Sequence, residues 1–393
     1  MEFFREVFVE QVDDSALRGV IRKRILEKGR IPFVEFMTAC LYEPGLGYYT
    51  SPGRKVGAEG DFYTSINVHR VFGRLIAREI CRMWEVMGCP ASFDAVEVGA
   101  GHGQLAKDVL DAIRELNAEF YELLSFRLVE AEPSLAEVQR TLLADHLPRL
   151  SWSPPADLAE GRLRFTGCLY SNELIDSFPV HLVEMTPAGV REVFVVADGD
   201  RFAEVLEPPS TPELEGYLAR LGITLDPGHR AEINLNALRW LGSVATALER
   251  GFVLTIDYGY LAPELYGPMR RNGTLLCYWR HTIEEDLYVR VGRQDMTSHV
   301  DFTSLMAEGE ALGLKKAWYG EQYRFLVAAG MMEEMMALEA AATTEEERLR
   351  IRLTLKKLVL PEGGMGDTFK VLVQAKGVEN PRLLCMREWG QLF

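Results

Sequence analysis

No Cys-x-x-Cys pair occurs among the six cysteines, Cys40, Cys81, Cys89, Cys168, Cys277 and Cys385. Metal ribbons and disulfide frameworks are therefore not expected, and the thiols should be reduced. No run reaches the roughly eighteen apolar residues that a membrane helix needs. No block of lysine or arginine interrupts a formal charge of −15, so the chain lacks the electrostatic footprint of a nucleic-acid binder. The segment 1–13 lacks the basic and apolar regions of a secretory signal. Taken with the scattered thiols, this gives a cytoplasmic protein as the expectation. His69, His102, His181, His281 and His299 fit no metal-ligand spacing, so no metal is expected. Repeats and low-complexity tracts are missing too.

What is present is the usage of a folded globular chain, with 48% hydrophobic and 26% charged residues over 393 positions. That length suits two domains or one large α/β unit with insertions. Leu17, Val20, Ile21 and Leu26 recur at helical spacing and predict a helix over 13–28, stopped by Gly29; a second, opening at Pro32, runs to about 41. The segment 42–65 is a long loop with five glycines around Tyr48-Tyr49, a length and composition typical of a functional loop. An amphipathic helix is expected over 66–87, ended by Gly88 and Pro90.

From Phe93 onward, short apolar runs at 93–98, 126–129, 168–171 and 252–256 alternate with helical stretches. This predicts βαβ units and a mainly parallel sheet. Alternation over 180–206 around Asp198-Gly199-Asp200 predicts a β-hairpin insertion. The stretches 314–326 and 368–374 read as the last two strands, with helix over 331–359 between them. The organisation expected is an N-terminal helical cap and lid over 1–90, a Rossmann-like core over 91–179 and 246–393, and an insertion over 180–245.

Glu97-Val98-Gly99-Ala100-Gly101-His102-Gly103 follows the first strand and opens a helix, the context in which glycines let the backbone turn tightly and approach a nucleotide. Its spacing is G-x-G-x-G rather than the G-x-G-x-x-G of NAD or FAD sites, so an NAD-dependent oxidoreductase is the weakest rival. Glu97 suits a cofactor carrying an amino-acid ammonium, as S-adenosylmethionine (SAM) does. Glu130, at the end of the next strand, stands where adenosine ribose hydroxyls would bind; a solvated strand end is the alternative. The third run ends Asn172-Glu173-Leu174-Ile175-Asp176. Here Glu173 and Asp176 could clamp a guanidinium, with helix capping by Asn172 or Asp176 as the other reading.

These motifs resemble those of the MidA-like SAM-dependent methyltransferases, a family that includes the mitochondrial complex I assembly methyltransferase. The resemblance rests on the glycine loop, Leu128-Val129-Glu130, and Gly60-Asp61-Phe62-Tyr63-Thr64-Ser65 with Val71-Phe72-Gly73. It extends to Asn172 through His181, Ile256-Asp257-Tyr258-Gly259 and His299-Val300-Asp301-Phe302-Thr303. It implies an α/β class I methyltransferase sheet with a helical cap and a β insertion, SAM as cofactor, and for the mitochondrial members an arginine of a respiratory complex I subunit as acceptor. Cofactor contacts are expected from Thr64, Glu97, Gly99, Gly101, Gly103, Glu130 and Asn172. Catalytic carboxylates are expected among Asp61, Glu173, Asp176, Asp257 and Asp301, with Tyr49, Tyr63 and Tyr258 walling the channel. A protein substrate is the expected partner, with no nucleic acid and no membrane span. Two alternatives stay open: a non-catalytic assembly protein and a small-molecule methyltransferase.

Overall fold

A computed structural model describes residues 15–51, 69–280, 282–360 and 368–387. The expected strands form one sheet: Phe93–Val98 (β1), Leu124–Val129 (β2), Leu150–Ser153 (β3), Phe165–Asn172 (β4), Leu248–Tyr260 (β5), Lys315–Glu321 (β6) and Phe369–Lys376 (β7). Their order is β3-β2-β1-β4-β5-β7-β6, and Val300–Asp301 adds a short strand beside the end of β5. The first five strands are mutually parallel, whereas β7 runs antiparallel to both β5 and β6. Parallel strands need helices on both faces, and their sequences read as continuous apolar runs for that reason.

Seven helices matter for the site: Ser15–Lys28 (α1), Phe33–Tyr42 (α2), Val71–Val86 (α3), Gln104–Leu116 (α4), Pro133–Leu142 (α5), Leu235–Ala247 (α6) and Phe302–Ala311 (α7). Phe72, Ile76 and Ile80 of α3 pack with Leu105, Val109 and Ile113 of α4 against one sheet face. Leu241 and Val244 of α6 and Phe302 and Leu305 of α7 cover the other. Such a three-layer sandwich hides the apolar face of every element. Helices α1 and α2 lie elsewhere, sharing a separate core with the insertion through Ile21, Phe36, Val193, Val195 and Phe202.

The hairpin expected over 180–206 is present as Gly189–Asp198 and Arg201–Glu207, but it belongs to a larger antiparallel sheet. His181–Thr186, Arg230–Ile233 and the cap's Ile31–Pro32 complete it. Strand β3 was not anticipated, because Leu150-Ser151-Trp152-Ser153 is short and half-exposed at a sheet edge. The helix expected from 66 begins at Val71, whose N–H is bonded to Nδ1 of His69. The helical stretch at 331–359 is two helices, Met331–Ala341 and Glu345–Val359, and Thr344 caps the second by accepting from the Glu347 N–H. Past β6, the residues read as strand to 326 turn into the helix Gln322–Ala328.

A Cβ placed on Gly73 would stand 2.5 Å from the Cβ of Asp108 in α4. Gly73→Ala gains about 1 kcal/mol of helix propensity, but overpacking a tight contact costs about 1–3 kcal/mol. The expected outcome in denaturant unfolding is a net loss of about 1 kcal/mol; a gain in stability would mean that the two helices can part freely.

Candidate active site

The glycine loop sits at the carboxyl end of β1, between β2 on one side and β4 on the other. The strand order reverses there, which is where open α/β sheets bind ligands. Gly99, Gly101 and Gly103 all take positive φ, at 75°, 54° and 88°. A Cβ on Gly99 would meet Leu174 at 2.8 Å and one on Gly103 would meet Gln139 at 3.1 Å, whereas one on Gly101 would meet none of the described residues within 4 Å. The first and third glycines thus permit close protein packing, and Gly101 borders the space a nucleotide would fill.

Gln139, fully buried in α5, ties this region together. Its Nε2 donates to the Gly101 carbonyl (2.7 Å) and to Oε2 of Glu130 (3.0 Å), while its Oε1 accepts from the Trp152 indole (2.8 Å). Glu130 also accepts from the Glu132 N–H at 3.0 Å. These bonds hold its carboxylate beside the loop, and burial raises its pKa. No sequence signal marks Gln139, because it is a polar residue on the buried side of a helix and breaks the apolar pattern. Glu97 lies beneath the loop, 3% exposed, and accepts from the Tyr170 hydroxyl at 2.6 Å. Burial pushes its carboxyl up to about 8, with the charge of Glu130 adding to the effect.

At the ends of β4 and β5 the structure brings Asn172, Glu173, Asp176 and Asp257 together. Asp257 is fully buried, and its Oδ2 accepts from the N–H groups of Leu174 (3.2 Å), Ile175 (2.9 Å) and Asp176 (3.3 Å). Its Oδ1 accepts from the Tyr258 N–H at 2.9 Å. The turn so gathered holds Glu173 at φ 51°, a conformation that non-glycine residues seldom adopt. Asp176 accepts from the Tyr258 hydroxyl through Oδ2. Its Oδ1 and the Oδ1 of Asn172 are buried and have no hydrogen-bond partner among the described residues. Burial pushes Asp176 up to about 6 and raises Asp257 well above the carboxylate range, the charge of Asp176 contributing to the latter.

Tyrosines from the cap close one side. The rings of Tyr42 and Tyr49 stack with centroids 5.4 Å apart; Tyr42 donates to the Ser177 carbonyl at 3.1 Å and Tyr49 to Asp295 at 2.8 Å. Burial raises both phenols, and the charges of Asp295 and Asp176 add to this. Asp295 and Tyr42 were not among the expected site residues, since neither stands in a recognisable motif. Asp301 is placed differently from the cluster: it caps α7 by accepting from the Thr303 and Ser304 N–H groups, and it takes the Tyr217 hydroxyl at 2.7 Å. Asp61, Tyr63, Thr64 and His281 lie outside the described residues. Among the described residues there is no metal-binding group of three His, Cys, Asp or Glu, and no helix is long and apolar enough to cross a membrane.

The sheet order and the glycine loop at its switch point define a class I methyltransferase fold. The chain belongs to the S-adenosyl-L-methionine-dependent methyltransferase family, whose model matches residues 75–320. It is 30% identical to the mitochondrial protein arginine methyltransferase NDUFAF7 homolog of Drosophila melanogaster, over 93% of this chain and 86% of that one. To human mitochondrial NDUFAF7 it is 28% identical, over 88% and 80%. A Burkholderia thailandensis protein crystallised with S-adenosyl-homocysteine superposes with a TM-score of 0.86 at 30% identity, covering 95% of both chains. SAM is thus the cofactor. The mitochondrial names of the curated relatives overturn the cytoplasmic location expected from the missing secretory features. Those features bear on secretion, whereas organelle import uses a different, amphipathic signal.

Gly101→Val keeps a strained φ at a cost of about 1–2 kcal/mol, yet its side chain points where cofactor should lie. Calorimetry is expected to show SAM binding lost in Gly101→Val and in Glu130→Ala. In Gln139→Met it should weaken about tenfold, as its bonds to the Gly101 carbonyl and Glu130, about 1 kcal/mol each, disappear along with that from Trp152. Unchanged affinity in all three would place the cofactor elsewhere.

Proposed function

We propose that this methyltransferase acts on an arginine side chain of a protein, and that a respiratory complex I subunit is its acceptor. The observation that carries the acceptor class is the pair of buried, unsatisfied acceptor atoms, Asp176 Oδ1 and Asn172 Oδ1, in an acidic, tyrosine-walled site beside the cofactor loop. Buried acceptors without donors are costly. A guanidinium offers five N–H donors in a planar fork and suits such a set better than the point charge of a lysine ammonium. The names of the curated relatives, protein arginine methyltransferases, support the same reading.

SAM supplies an electrophilic methyl on a sulfonium. In the in-line displacement, a nitrogen–carbon bond forms, the sulfur–carbon pair returns to sulfur, and the nitrogen must shed a proton. The Tyr258 hydroxyl fixes the Asp176 carboxylate, leaving Oδ1 to accept from the guanidinium and to take up that proton. Asn172 orients the second N–H edge. Asp257 does not touch substrate in this scheme, because the backbone amides already engage both of its oxygens. It positions Asp176 instead.

The buried carboxyl of Asp176, held near 6, sets the pH dependence. Its folded pKa lies above the unfolded value, so the free protein is more stable below pH 4 through this group and loses that increment as pH rises through 6. Methyl transfer should follow the opposite course, rising with pH through about 6 as Asp176 ionises. With radiolabelled SAM and an arginine-containing peptide, Asp176→Asn should lower kcat by about a hundredfold or more and abolish the acid limb. Equal transfer to the matching lysine peptide, or an intact limb in the variant, would sink the arginine reading.

A further inference from the structure

We infer that this protein carries, at the end of the sheet opposite the methyl-transfer site, a cationic groove that docks an acidic, partly apolar segment of a partner protein. A cavity of about 750 Å³ opens there between the last turns of α3 and α4 and the segment 382–387. Both helices run back toward the amino ends of the parallel strands, so the groove lies a full strand length from the glycine loop. Among the described residues four arginines line it, Arg78, Arg82, Arg382 and Arg387, against the single acid Glu85. In a chain of net charge −15, this is a local reversal of sign.

The groove is built rather than incidental. Glu79 is fully buried in α3 and accepts from the N–H groups of Leu384 (3.1 Å) and Cys385 (3.4 Å). Arg82 donates to the Arg382 carbonyl at 2.8 Å. These bonds seat a segment some three hundred positions away onto α3 and fix the cavity's walls. Glu85 pairs with Arg82 and Glu334 with Arg78. Arg382 and Arg387 are exposed, and neither makes an ion pair among the described residues. Leu116, 39% exposed, and Met386 give the cavity an apolar part.

Guanidinium forks over apolar surface recognise carboxylates on a chain that also offers apolar side chains. The cavity volume falls within the range of roughly 300–1,000 Å³ common to ligand sites. The two ends of the enzyme then select opposite charges: the acidic site takes a cationic side chain, and the groove takes an acidic stretch that the first site would repel. Docking at a distance would raise the local concentration of a partner without using methyl-site contacts.

The test is fluorescence anisotropy with the full-length protein and a labelled short peptide of alternating leucine and glutamate. Saturable binding that weakens as salt is raised is expected, falling about tenfold or more in the double variant Arg382→Glu, Arg387→Glu. SAM affinity and the unfolding midpoint of that variant should match the native protein, which separates lost docking from lost folding. No saturable binding to the native protein, or equal binding to the variant, would overturn the inference. Tighter occupancy by inorganic pyrophosphate than by the peptide would overturn it as well, by assigning the groove to a phosphate ligand.

Discussion

The Asp257 carboxylate makes the interaction on which the proposed acceptor site depends. It stands at the end of β5, fully buried, and gathers three successive backbone amides of the turn leaving β4. Burial disfavours its charge and the neighbouring Asp176 disfavours it further, while the converging N–H groups favour it. These bonds, with that of the Glu173 N–H to the Ile256 carbonyl, hold the turn in which Glu173 takes its positive φ and Asp176 meets the Tyr258 hydroxyl. The turn between β4 and the insertion is therefore a nest of backbone amides filled by a carboxyl group of the protein itself.

The cofactor side is organised by a neutral hub instead. Gln139 satisfies a loop carbonyl, a carboxylate and an indole with one amide, so that three strands' ends and a helix share a single buried connection. A lysine there could answer Glu130 but would leave the Trp152 indole without its acceptor; an amide meets donors and acceptors at once. The two halves meet through Gly99, whose lack of a side chain lets Leu174 of the acceptor turn press against the cofactor loop.

Much of this was legible in the sequence where pattern and physics coincide. Strand β1 and its loop could be read because glycines at alternating positions after a buried strand have few other uses, and the parallel sheet followed from runs such as Phe252–Ile256. The break between the last two long helices was also written there: Thr344 and Glu347 have capping spacing, although helical periodicity on either side obscured it. Strand β3 escaped because an edge strand alternates weakly, and Gln139 because a buried amide looks like a surface one. The backbone partners of Asp257 were not legible in the sequence for a different reason. A carboxylate at a strand end has the same appearance whether it faces a substrate or its own backbone, and only the positions of Leu174, Ile175 and Asp176 distinguish the two. Asp301 shows the same ambiguity, and in the structure its carboxylate caps a helix.

The two halves of the site differ in how far apart in the chain their parts lie. The cofactor half is assembled from residues 97 to 170, with its longest hydrogen-bonded separation, Glu97 to Tyr170, spanning 73 positions. The acceptor half needs Tyr42 beside Ser177, 135 positions on, and Tyr49 beside Asp295, 246 positions on. Loop closure of that span is entropically slow, and such contacts form after local ones. On a growing chain, the strands and helix around the glycine loop can take shape while Asp295, which anchors the cap's Tyr49, is still unmade.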